Sequence, residues 1–128
     1  MALRILIADD NEGVRTALSD FLRGSGDNWE ICCEAEDGRA AIQKAAEMRP
    51  DVVVLDLLMP NANGLTAARE IHSRVPSACI LMFTQIDASI VAKQAREAGI
   101  EAVVPKTNVQ ALLGAIRQAA SHQHRTKT

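Results

Sequence analysis

At 128 residues with 48% hydrophobic side chains, the chain is sized for one domain with a core of its own. Its 14 Lys+Arg and 16 Asp+Glu leave a formal net charge of −2, which argues against a broad basic surface and against direct nucleic-acid binding. No run is long or apolar enough to span a membrane, and the opening MALRILIADDNE turns acidic too early for a secretory leader, so a cytoplasmic location is expected.

A short β-rich run, Leu3–Ala8, comes first. Behind it Val14, Ala17, Leu18, Phe21 and Leu22 recur at helical spacing, with Gly24 and Gly26 placed to end the helix. The second β-rich run, Trp29–Ala35, holds Cys32 and Cys33, which on a regular strand point to opposite faces. With Cys79 these make three cysteines at no zinc-site spacing, so small buried apolar residues in a reducing compartment are expected. A helix over about Arg39–Arg49 carries Ala41, Ile42, Ala45 and Met48 as core, and Pro50 stops it. The next run, Val52–Leu57, contains the unbroken apolar stretch of a strand buried on both faces.

A third helix starts near Gly64 and shows Leu65, Ala68, Ile71 and Val75 before Pro76. Cys79–Phe83 is the fourth strand. A fourth helix follows Asp87, a good N-cap, and ends at Gly99. Ala102–Val104 is the fifth strand, and Pro105 beside it is tolerable at a sheet edge. Thr107-Asn108-Val109-Gln110 reads as a capping box for a fifth helix bearing Leu112, Leu113, Ile116 and Ala120. Residues 1–121 are expected to form the domain, and 122–128 a polar tail that frays. His72, His122 and His124 are expected on exposed helix or tail.

Five βα units in succession predict an α/β domain: a five-stranded parallel sheet, order 2-1-3-4-5, flanked by five helices in the flavodoxin-like doubly wound manner. Ligands of such sheets bind beyond the carboxyl ends of the strands. Those ends deliver Asp9 and Asp10, Asp56, Thr84 and Lys106, with Glu36 and Asp37 more peripheral. Three converging carboxylates repel one another, and a divalent cation or an ammonium offsets the repulsion. An all-oxygen donor set suits Mg²⁺. An Asp carboxylate is also a nucleophile for phosphoryl groups, whose transfer needs little beyond positioning and charge neutralisation. Taken singly each residue has a plainer reading: a solvated turn for Asp9 and Asp10, a cap for Thr84, a surface lysine for Lys106.

IADDNE, VVVLDLLMPNANG, MFT and VVPKT, in this order and spacing, resemble the response-regulator receiver domain of two-component signalling, in the chemotaxis-regulator-like superfamily. The resemblance implies that Asp56 is the phosphoacceptor and that Asp9, Asp10, Asp56 and the backbone carbonyl of Leu58 hold Mg²⁺. It implies that Thr84 and Lys106 contact the phosphoryl group and shift with it. It also implies a bacterial phosphorelay, with a sensor histidine kinase as donor. The face of the fourth helix, fifth strand and fifth helix would then control an output partner or tethered domain, and is a candidate homodimer surface. The polar Thr107 after Lys106 is similar to receivers joined to helix-turn-helix DNA-binding domains.

Four positions are expected to modulate the switch. Val103 stands where the family usually has an aromatic residue, and Gln85 where it usually has a small one. Leu58 and Ile86 flank the acceptor with apolar groups and are expected to hinder an attacking water. A haloacid-dehalogenase-type phosphatase needs Asp-x-Asp after the first strand, which is not the spacing here. A flavodoxin-like cofactor binder would be repelled by ADDNE. The alternative kept open is a degenerate receiver serving as an interaction module without regulated phosphorylation.

Overall fold

The computed structural model describes residues 2–127, with side chains for 2–122, so that of His124 lies outside the described residues. The elements are β1 (Leu3–Ala8), α1 (Glu12–Arg23), β2 (Trp29–Ala35), α2 (Gly38–Met48), β3 (Val52–Leu55), α3 (Gly64–Arg74), β4 (Cys79–Thr84), α4 (Ala88–Glu97), β5 (Ile100–Pro105) and α5 (Val109–Lys127). The strands are all parallel and ordered β2-β1-β3-β4-β5. The order reverses between β1 and β3, so the crossovers lead to opposite faces and leave a crevice at their carboxyl ends.

Strand side chains alternate between faces, and each face finds helices. Leu6, Val53, Leu55, Ile80 and Met82 pack with Ala41, Ala45, Ala68, Ile71 and Val91 beneath α2, α3 and α4. Ile5, Val52, Val54, Leu81 and Phe83 pack with Leu18, Leu22, Leu112 and Ile116 beneath α1 and α5. The central strand contributes to both clusters, which explains its unbroken apolar run.

Polar side chains set the helix starts. Asn11, Asp37, Asn63 and Asp87 each accept a backbone N–H from the first turn of the helix that follows. At α5 the structure differs from expectation. Asn108, not Thr107, is the cap, its side chain accepting the Ala111 N–H at 3.0 Å, so the predicted box begins one residue too early. α5 also continues through Lys127, so the backbone of the predicted polar tail is helical up to that residue. β3 ends at Leu55, two residues before the predicted limit, because the Leu57 carbonyl turns to accept the Gly64 N–H at 2.8 Å.

Two further expectations are corrected. Met48, predicted as core, is exposed: α2 ends there, and the buried positions of that helix stop at Ala45. Cys32 and Cys33 do not point to opposite faces. The β1–β2 pairing runs Ile5↔Ile31 and then Leu6↔Cys33, so Cys32 is an extra, unpaired residue. A bulge of this kind breaks the alternation of the strand. Both thiols come to the same side, with Sγ atoms 3.6 Å apart, and all three cysteines are partly rather than fully buried.

Candidate functional site

The strand ends place the site. Asp9 follows β1 and is fixed by its N–H to the Ala35 carbonyl at 3.0 Å, while Asp56 follows β3 and donates its N–H to the Ala8 carbonyl at 3.0 Å. Lys106 follows β5 and donates its N–H to the Thr84 carbonyl at 2.9 Å. Each functional side chain therefore stands one residue beyond a ladder whose register is set by the core.

The two carboxylates that start the crevice are buried, Asp9 to 3% exposure and Asp56 to 6%, whereas Asp10 is exposed. Carboxylate oxygens of Asp9, Asp10 and Asp56 all lie within 4.8 Å of one another, a grouping that can hold a metal ion. Lys106 offsets part of the repulsion. Its Nζ lies 2.6 Å from Asp9 Oδ2 and 3.0 Å from Asp56 Oδ2. Burial pulls the Lys106 pKa down, but the hydrogen bonds to Asp9 and Asp56 outweigh it and hold the ammonium above its usual value. Asp9 is engaged at both oxygens, because its Oδ1 accepts the Asn11 N–H at 2.9 Å. Asp10 is left as the carboxylate that faces solvent.

Thr84 is fully buried at the end of β4, with its Oγ1 accepting the Ile86 N–H at 3.4 Å. Leu58 is 56% exposed in the loop after Asp56, and Gln85 is exposed next to Thr84. Ile86 and Val103 are partly buried against the cluster beneath α2, α3 and α4. The structure thus brings Asp9, Asp10, Asp56 and Lys106 together and sets Thr84 at the adjacent strand end. Glu36 is exposed, and Asp37 is the α2 cap.

The loop after Asp56 is held from two sides. Gly64 lies so close to it that a Cβ there would stand 2.3 Å from the Asp56 carbonyl oxygen. On the other side Gly38 donates its N–H to the Pro60 carbonyl at 3.3 Å, and Asn61 Nδ2 donates to Asp37 Oδ2 at 3.2 Å. Asn61 and Ala62 take positive φ of 55° and 103°, a strained backbone for residues with a Cβ.

Sequence reasoning missed one support. Arg15 on α1 donates from a guanidinium nitrogen to the Asp9 carbonyl at 2.8 Å and from Nε to Glu34 Oε1 at 3.2 Å. The helical period showed only that Arg15 lies off the most apolar face. No pattern along the chain points to a partner 19 positions away.

A family model described as the response regulator receiver domain matches residues 5–117. The response regulator protein VraR of Staphylococcus aureus is 34% identical over 107 residues, covering 84% of this chain and 51% of that protein. The chain thus spans about half the length of the curated relatives it matches. A LuxR-family two-component response regulator from Aurantimonas superposes with a TM-score of 0.86 at 32% identity, covering 94% of this chain and 87% of that one. The response regulator domain of Thermotoga maritima CheB gives a TM-score of 0.85 at 26% identity, covering 93% and 96%.

Proposed function

The chain belongs to the response regulator receiver domain family of two-component signalling, and on that premise we propose that Asp56 accepts a phosphoryl group from a histidine kinase. One observation carries this reading: three carboxylates within 4.8 Å of one another, two of them bonded to a single ammonium. A group so placed both draws in a cation and presents a carboxylate oxygen as nucleophile.

The donor set fits Mg²⁺. It is all oxygen, it carries more negative charge than Lys106 alone offsets, and exposed Asp10 leaves room for the waters that this ion retains. Asp9, Asp10, Asp56 and the Leu58 carbonyl would hold it, and when bound it would neutralise charge on the transferring group. The chain's own residues do the rest. Asp56 is held by its backbone bond to Ala8 and aims a carboxylate oxygen from the floor of the crevice. Lys106 releases part of its hold on Asp9 and Asp56 to pair with the incoming oxygens. Thr84 gives up its long bond from Ile86 to donate its hydroxyl. Both moves displace the ends of β4 and β5 and carry the change to α4 and α5, where an output partner or tethered domain would read it. A DNA-binding output of LuxR type is the arrangement proposed for a longer protein, since relatives of that description share this fold.

The test is labelling with acetyl phosphate. Wild type with Mg²⁺ should gain the mass of one phosphoryl group, and the gain should vanish in Asp56→Ala and with a chelator. No gain in wild type, or one that survives in Asp56→Ala, would overturn the assignment and favour an interaction module.

A further inference from the structure

We propose that Cys32 and Cys33 form a dithiol clasp that binds one soft, thiophilic centre between their two sulfurs. The site lies on edge strand β2 and uses none of the residues of the acidic crevice.

Geometry carries the proposal. The bulge at Cys32 turns both side chains to the α2 side, with Sγ atoms 3.6 Å apart. Two sulfurs each about 2.3 Å from one ion at a tetrahedral angle stand about 3.8 Å apart. The pair therefore needs almost no rearrangement to share a metal or metalloid. It is poorly placed to bond with itself. Neighbouring Cα atoms across a trans peptide are about 3.8 Å apart, short of the roughly 4.4–6.8 Å that disulfides span. The two sulfurs are thus close enough to chelate, whereas a disulfide between them would be strained and readily reduced.

The surroundings favour the thiolate form. Arg4 Nη1 donates to the Met48 carbonyl at 2.5 Å and to the Arg49 carbonyl at 3.2 Å, which holds the guanidinium on the α2 side. Lys44 on α2 donates to the Glu34 carbonyl. Cys32 is lowered to about 7, first by the hydrogen bond from Cys33, with burial opposing, Arg4 assisting and Glu30 opposing. Cys33 is raised, first as the donor of that bond and then by burial. Cys32 is therefore the more acidic thiol of the pair, and an incoming soft centre displaces the protons as its bonds to sulfur form. Both cysteines are partly exposed, so a small reagent can reach them. Cys79 cannot join them: it opens β4, three strand spacings of about 4.8 Å away across the sheet.

Two probes distinguish the source of the centre. Phenylarsine oxide reports a metalloid: two As–S bonds form, the As–O bond breaks, and the two thiol protons leave with that oxygen as water. Cadmium ion alone reports a metal: two Cd–S bonds form, the thiol protons pass to solvent, and a sulfur-to-metal absorption appears in the ultraviolet. At least one probe should bind one-to-one to the wild-type chain, and peptide mapping should place it on the segment containing Cys32 and Cys33. Cys32→Ser and Cys33→Ser should each abolish that adduct, and Cys79→Ser should keep it. Failure of both probes, an adduct that survives either single change, or one mapped to Cys79 would overturn the proposal. Where a serine variant loses the wild-type circular dichroism, the mapping of the wild-type adduct decides.

Discussion

Replacing Lys106 with Met keeps most of the apolar stem and removes the ammonium. The structure shows what is lost: a 2.6 Å contact to Asp9 and a 3.0 Å contact to Asp56, made to two carboxylates that are almost wholly buried. Breaking a fully buried ion pair costs about 3–5 kcal/mol, mostly because the remaining charge is left unpaired. Lys106 keeps 16% of its side chain exposed and Asp10 opens the crevice to water, so a loss of about 2 kcal/mol is expected here, below that range. Magnesium should reverse part of it. On the proposed reading the ammonium and the ion would share the same oxygens, and a divalent ion and a single positive charge about 4 Å apart repel by roughly 8 kcal/mol if the effective dielectric is near 20. Without the ammonium the ion should bind more tightly and stabilise the variant more than the wild type. Urea unfolding of both proteins, with a chelator and with saturating Mg²⁺, reads both effects. A variant as stable as wild type without metal would show that the ammonium is not holding the carboxylates. An unchanged stability gap with metal would show that ion and ammonium do not share the site.

Gly64→Ala should cost about 1–3 kcal/mol by urea unfolding, since its Cβ would meet the Asp56 carbonyl oxygen at 2.3 Å and backbone cannot yield as a side chain can; unchanged stability would mean the loop is not packed as described. Ala62→Gly should stabilise slightly: relief of a positive-φ strain of about 1–3 kcal/mol exceeds the roughly 0.5–1 kcal/mol entropic cost of glycine. Leu112→Ala, at a fully buried position of α5, should cost about 2–5 kcal/mol in the same assay. The Asp37 pKa is lowered, first by the Ala40 N–H and then by the Asn61 amide. Its contribution is present above the unfolded value of 3.8 and is lost as pH falls through the lower folded value. Asp37→Asn keeps the cap acceptor but should flatten stability against pH below about 4; an unaltered acid slope would count against that linkage.

What the chain made legible was whatever repeats locally. Periodicity located every strand and helix, and the order of the sheet placed Asp9, Asp10, Asp56 and Lys106 at one end. Errors arose where one specific contact, local or tertiary, outweighs a general rule. Asn108 takes the cap from Thr107, although the box pattern favoured the threonine. Cys32 breaks strand alternation through a bulge that depends on pairing with β1. Arg15 reaches Asp9 and Glu34 across separations that no pattern along the chain encodes. The close approaches of Gly38 to Ala62 and of Gly64 to Asp56 are likewise invisible until the elements are assembled.

The reach of Lys106 has a mechanical corollary. Asp56 follows β3 and Asp9 follows β1, so the ion pairs of Lys106, rooted after β5, join strands that lie two and three places apart in the sheet, the lysine and the carboxylates each reaching part of the way. Its contacts act as a crosswise strap over the top of the sheet, at right angles to the chain direction. Main-chain ladders join only adjacent strands, whereas this strap ties an edge strand directly to the centre. Whatever takes an oxygen of Asp56 from Lys106 therefore removes one of the two ties between that edge and the centre and leaves the edge held by the tie to Asp9.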